Sequence, residues 1–133
     1  MESGEPVRLA AGQADNPVWS PDGNLIVYGG PFATGQVTLF GVRPDGTPAT
    51  LPPVRVRPGG YRFLPNGSGL VYLPFLQSLD FWLLDLATTS TRQLTRFSNQ
   101  GQLATFDITS DGKDLVFDRS RRNSDIVLID LPK

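Results

Sequence analysis

A chain with neither histidine nor cysteine must do its chemistry with carboxylates, hydroxyls, amides and arginines. A Ser-His-Asp or Cys-His triad within the 133 residues is excluded, as are a Cys/His zinc site and a disulfide framework. Three groupings remain to be weighed. Asp111, Asp114 and Asp118 gather carboxylates but lack the alternating acids of a calcium loop, and Asp111 belongs to a Ser-Asp-Gly turn. Arg119, Arg121 and Arg122, in "DRSRRNSD" (118–125), have the forked donors that grip phosphate or carboxylate. The same run is polar, lies between two apolar segments and balances its charge with Asp118 and Asp125, so it reads as an exposed hairpin loop. Ser68 sits between glycines in "NGSGL" like the serine of a nucleophile elbow, but Asn66 stands where that motif needs glycine and no histidine can activate it. The expectation is a non-catalytic chain with no metal and no cofactor.

The phrases that surround these groups repeat. "VWSPDGNLIVYGG" (18–30) returns as "RFLPNGSGLVYLP" (62–74) and "DITSDGKDLVFDR" (107–119). Aligned on Gly23, Gly67 and Gly112, the copies are 44 and 45 residues apart, within the period range of propeller blades. Ile26-Val27-Tyr28 recurs as Leu70-Val71-Tyr72 and Leu115-Val116-Phe117. Val37-Thr38-Leu39-Phe40 recurs as Phe81-Trp82-Leu83-Leu84 and Ile126-Val127-Leu128-Ile129.

Each copy divides into short strands. A first strand ends at Trp19, Phe63 or Ile108 and runs into a turn built on Pro-Asp-Gly, Pro-Asn-Gly or Ser-Asp-Gly. The acid or amide can bond nearby backbone, and the glycine accepts a positive φ. The second strand follows at once, which predicts a tight hairpin. The third strand is a near-continuous apolar run, predicted to be covered on both faces. A fourth is written clearly in "RQLTRF" (92–97) and, interrupted by proline, in "PATLPPV" (48–54). "EPVRLAA" (5–11) resembles a fourth strand without its predecessors, and the last copy ends on a third strand. The predicted units are therefore 13–56, 57–97 and 101–131, the last completed by residues 5–11. Trp19, Phe63, Phe81 and Trp82 are the expected large core residues.

Composition agrees with a folded all-β domain: 39% of residues are hydrophobic and 19% charged, and 14 Gly and 12 Pro punctuate short apolar runs. A net charge of −1 implies no broad basic surface, so nucleic acid is not an expected partner. No run approaches the ~18 apolar residues of a membrane span, so no direct membrane insertion is expected. "MESGEPVRLA" lacks the basic and apolar regions of a secretory signal.

The phrase "WSPDGNLIVY", with a third strand about 18 residues after its glycine, resembles the TolB-like β-propeller repeat, a WD-repeat-like family. A later strand in that repeat tends to end in an Asp-containing dipeptide; here these are Asp85-Leu86 and Asp130-Leu131, while Gly41-Val42 departs from the pattern. The resemblance covers residues 5–131. It implies antiparallel four-stranded blades, three per chain, and a scaffold that binds a peptide or protein. It also implies three settings: periplasmic partner proteins, gating domains of prolyl-oligopeptidase-type peptidases, and sensor regions of bacterial kinases and regulators. Only the first would make the chain periplasmic. Propellers close with about four to eight blades, so three leave two apolar end faces. Two chains forming a six-bladed homodimer would cover them, through an interface of about 2,000–5,000 Å². The remaining blades of a longer chain would do the same. Propeller ligands usually sit at a channel mouth near the innermost strands, which places the candidate contacts at Asp15, Asn16, Gly60, Tyr61, Arg62, Thr105 and Asp107. Arg62 and Asp107 hold the repeat position of Val18, where they would line the channel as a polar contact or pair with each other.

Overall fold

The computed structural model describes residues 4–75, 80–97 and 102–120. These form ten antiparallel strands: β1 (Asp15–Trp19), β2 (Ile26–Gly29), β3 (Val37–Val42), β4 (Pro48–Ala49), β5 (Arg55–Phe63), β6 (Gly69–Pro74), β7 (Trp82–Asp85), β8 (Thr91–Gln93), β9 (Gln102–Ile108) and β10 (Leu115–Ser120). The class is all-β, with no helix among the described residues. The predicted third strand of the last copy (126–129) and the arginine loop beyond Ser120 lie outside them.

The hairpin turns follow from local chemistry. Gly23, Gly67 and Gly112 have φ of 74°, 74° and 71°, the left-handed region that favours glycine. One residue earlier, Asp22, Asn66 and Asp111 each accept, through Oδ1, the backbone N–H of the residue after the glycine, at 3.0 Å in all three cases. Three residues before each glycine, the carbonyls of Ser20, Leu64 and Thr109 accept its N–H at 2.8–2.9 Å. Ser20 and Thr109 also donate their hydroxyls to the turn aspartate and accept the N–H of Leu25 and Asp114, so threonine takes over the serine's work in the third copy. In the second copy Leu64 turns instead into the apolar layer.

The order β1-β2-β3-β4 makes one meander and β5-β6-β7-β8 a second; β9 and β10 begin a third. The first two are not separate sheets, as independent blades would be. β5 is nine residues long; Arg55 and Val56 pair with Thr38 and Val37 of β3, and Tyr61–Phe63 pair with β6. The chain thus crosses from one repeat into the next without leaving hydrogen-bond contact. The predicted fourth strands shrink to Pro48–Ala49 and Thr91–Gln93. Pro52 and Pro53 lack the N–H that a continued ladder needs.

Two apolar layers lie between successive repeats. Val27, Val37 and Leu39 of the first pack on Tyr61, Leu70, Tyr72 and Leu84 of the second. Val71, Leu73 and Phe81, on the second sheet's other face, pack on Leu103 and Phe106 of the third, with Ile108, Leu115 and Phe117 against them. Phe81 meets Phe106 edge-on at 4.9 Å and Phe117 at 5.3 Å. The Trp82 indole N–H is buried without an acceptor, the one such side-chain group among the described residues. Outside these layers, the turns touch in a repeated way: a Cβ on Gly67 would lie 3.7 Å from Pro21, and one on Gly112 3.4 Å from Pro65.

Residues 5–11 are exposed or half-buried and carry no strand among the described residues, with Val7 78% exposed, and the strand of the last copy that they were expected to join (126–129) lies outside the described residues. One sequence expectation is corrected. Trp19 is 57% exposed rather than core, and Phe40 on β3 is 45% exposed, because no described sheet stands against them, although Ile26 and Val42 on the same side are buried. Phe81 is fully buried, and Phe63 and Trp82 are partly buried against the first layer.

Candidate functional site

The candidate residues sit on the first strand of each repeat, and each of those strands is irregular at the same place. β1 shifts register between Asp15 and Val18, β5 between Val56 and Tyr61, and β9 between the partners of Phe117 and Arg119, which are Phe106 and Leu103. Counted from the turn glycines, Asn16, Gly60 and Thr105 are equivalent. A bulge bends its strand, frees backbone groups from the ladder and re-aims side chains. Here the sequence supplies residues that tolerate it: Asn16 has φ 52° and Gly59 φ 70°. At the third site Asp118, across on β10, fills the gap by accepting the Thr105 N–H at 2.7 Å.

The bulges are stitched sideways. The Tyr61 hydroxyl donates to the Asn16 carbonyl at 2.6 Å and approaches that of Asp15 at 3.3 Å. Gly59 lies against the Asn16 side chain, where a Cβ would come within 3.5 Å of its amide. In the other direction, Arg57 donates from Nη1 to the Leu103 carbonyl at 3.1 Å. The middle repeat therefore holds both neighbours through side-chain bonds to their bulges.

The structure accordingly brings Asp15, Asn16 and Tyr61 together, but in different roles. Asp15 and Asn16 are exposed, whereas Tyr61 is fully buried. Burial pushes its phenol up to about 12, the raising effect of desolvation exceeding the lowering effect of the backbone bond and of Arg62. Tyr61 is a structural bridge, not a surface contact. Arg62 donates from Nη1 to the carbonyls of Tyr61 (2.7 Å) and Gly59 (3.0 Å), and its guanidinium lies 5.6 Å from the Phe106 ring centre. It does not pair with Asp107, which is exposed, opposes Val116 in the ladder and accepts its neighbour Ile108's N–H. Thr105 is exposed within the bulge. Asp15 and Asn16 on β1, and Thr105 and Asp107 on β9, reach solvent beside irregular backbone, on either side of the middle repeat.

The other groupings resolve into local structure. Asp111 serves its turn and Asp118 the Thr105 bulge; among the described residues no group of three His, Cys, Asp or Glu is placed to hold a metal ion. Ser68 donates both its N–H and its hydroxyl to Asn66, as a turn residue does. Arg119 lies over Phe97 at 5.5 Å. Asp22, Asp45, Asp85 and Asp111 are all held below the ordinary carboxylate value by the bonds they accept. The leading donors are the Ser20 hydroxyl, the Thr47 hydroxyl, the Thr88 N–H and the Thr109 hydroxyl respectively. Asp85 caps the β7–β8 turn, and in the first repeat, which lacks the Asp-containing dipeptide, Asp45 does this for the following turn.

Sequence reasoning missed Asp80. It is 7% exposed and accepts from Gln93 Nε2 (3.0 Å), Thr95 Oγ1 (3.1 Å) and the Phe97 N–H (2.6 Å), tying the stretch after β8 back to β7. Its only trace in the sequence is an acid immediately before an apolar strand. Arg57 was missed too, since its partner is a main-chain carbonyl 46 residues away.

Chemically, this surface offers hydrogen-bond acceptors, a threonine hydroxyl and bent backbone. The chain matches no protein-family model and no curated protein.

Proposed function

We propose that this chain is a non-catalytic scaffold of the β-propeller type, built of three TolB-like repeats, that binds a peptide or protein segment. We take its assembled form to be a six-bladed ring of two chains. The observation that carries the reading is that successive repeats meet in the same way twice. Equivalent residues form both apolar layers, and the same proline-on-glycine contact recurs at the turns. The backbones of neighbouring repeats also approach closely at their first strands, β1 against β5 and β5 against β9. Sheets that converge at their first strands and diverge outward fan about an axis, as propeller blades do.

Rigid sheets with bulged inner strands suit recognition rather than turnover. An extended ligand lying along the three bulges would meet Asp15, Asn16, Thr105 and Asp107, so a segment carrying Arg or Lys and free backbone donors fits best. Selection of displayed peptides on the immobilised protein tests this. The expected result is a basic consensus whose affinity falls about tenfold or more in an Asp15→Ala/Thr105→Ala variant of unchanged circular dichroism. A consensus indifferent to those substitutions, or no enrichment at all, refutes the binding role.

A further inference from the structure

The three hairpin turns are alike in geometry but not in chemistry. Asp22, Asn66 and Asp111 hold the same place and make the same Oδ1 bond at 3.0 Å, yet only Asn66 carries a carboxamide. It is also the one asparagine in the chain that glycine follows; the other four precede Pro17, Leu25, Gln100 and Ser124. A main-chain nitrogen with no Cβ beside it is the least hindered nucleophile an asparagine side chain can meet, whereas a proline nitrogen has no proton to give up. Asn66 is exposed, so water reaches it.

We propose that Asn66 is a site of spontaneous deamidation, gated by the hairpin turn between β5 and β6. The Gly67 nitrogen gives up its proton to hydroxide and bonds to Cγ of Asn66. The side-chain nitrogen takes a proton from water and leaves as ammonia. Water then opens the five-membered imide: attack at Cγ gives aspartate, and attack at the main-chain carbonyl gives isoaspartate. Either way one amide and one water become one carboxylic acid and one ammonia, and nothing is oxidised or reduced. The turn controls the first step, because the proton Gly67 must lose is the one it donates to the Leu64 carbonyl at 2.8 Å. Ser68 holds the other partner in place, donating its N–H and hydroxyl to Asn66 Oδ1 at 3.0 and 2.7 Å. Reaction therefore waits on opening of the turn. The two products then differ in fit. Aspartate suits the turn, since Asp22 and Asp111 already fill this position. Isoaspartate lengthens the main chain by a methylene just before Gly67, which sits at φ 74° against Pro21, and displaces the donors that those bonds need.

Incubation of the whole chain at mildly alkaline pH, folded in buffer and unfolded in guanidinium chloride, tests the proposal. Ion exchange follows the new negative charge, and peptide mass spectrometry places it. In the unfolded chain Asn66 should lose its amide ahead of the other four asparagines, and Gly67→Ala should slow that loss several-fold by hindering the nucleophile. In the folded chain the loss should be slower by about tenfold or more, and by the same factor that protects the Gly67 N–H from hydrogen exchange, since both wait on one opening. Equal rates in the folded and unfolded chain overturn the gating, as does a slowing unrelated to Gly67 protection. An Asn66 amide that outlasts the others in the unfolded chain overturns the site itself. Asn66→Asp, the aspartyl product made directly, should keep the wild-type β-sheet circular dichroism; its failure to fold would overturn the claim that the turn accepts that product.

Discussion

Alkaline pH probes the joint between the first two repeats, because a single phenol reaches across it. Tyr61 is fully buried, and its hydroxyl donates to the Asn16 carbonyl at 2.6 Å. An ordinary tyrosine ionises near 10, and burial raises Tyr61 to about 12. A folded value above the unfolded one means that folding favours the neutral form. The stability this contributes is complete below pH 10 and is lost as pH climbs from 10 through 12. Each pH unit inside that window is worth about 1.4 kcal/mol, so the whole window is worth at most about 3 kcal/mol. Burial also raises Tyr72, so the profile of the wild type alone mixes two groups. The difference between wild type and Tyr61→Phe isolates the one of interest. At neutral pH the variant should be less stable by about 1 kcal/mol, the net worth of one hydrogen bond. Above pH 10 that deficit should shrink and then reverse, because the variant has no phenol to ionise. Urea unfolding at a series of pH values, with the slope m held common, measures it. Parallel profiles for the two proteins from neutral pH to pH 12 would refute the assignment of Tyr61 as a buried bridge.

Three further outcomes follow from the geometry. Gly23→Ala, Gly67→Ala and Gly112→Ala should each cost about 1–2 kcal/mol in thermal unfolding, the penalty of a left-handed non-glycine residue. An added Cβ at these positions meets open space or ordinary contact, so a variant with no cost would contradict the turn assignment. Asp80→Ala should cost about 3 kcal/mol in chemical denaturation, since it removes a charged, buried acceptor from the half-buried Phe97 N–H, Gln93 and Thr95 together; a loss within error would mean that the carboxylate is not integral to the fold. Carboxyl titration by NMR should place Asp22, Asp45, Asp85 and Asp111 all below the ordinary 3.8, so their turns keep this support above that value and lose it as pH falls through the lower folded ones. A midpoint at or above 3.8 for any of them would contradict its turn bonds.

Much of the architecture is local and therefore written in the sequence. The hairpin turns need only an acid or amide, a glycine after it and a carbonyl three residues back, all within six residues. Their φ values and 3.0 Å bonds follow from those types. The ends of the first strands at Trp19, Phe63 and Ile108 are fixed by the same turns. Alternation along β2, β6 and β10 likewise sets which residues share a side, because the side-chain period of a strand is two.

Which side is covered is a different matter, because coverage depends on what lies next to the sheet. Trp19 and Phe63 occupy the same repeat position, yet one is 57% exposed and the other packs into a layer, because a sheet stands beside Phe63 and no described sheet stands against Trp19. The bulges also escaped a local reading. Asn16, Gly60 and Thr105 look unrelated as letters, and their common irregularity shows only in pairing with β2, β6 and β10. Tyr61, Arg57 and Asp80 find their partners 45, 46 and 17 residues away, two of them across a repeat boundary. The amino-acid types decide what turns and strands the chain can make. The approach of one sheet to the next decides which of its side chains become core, bridge or open surface, since burial is a property of neighbours that no short stretch contains.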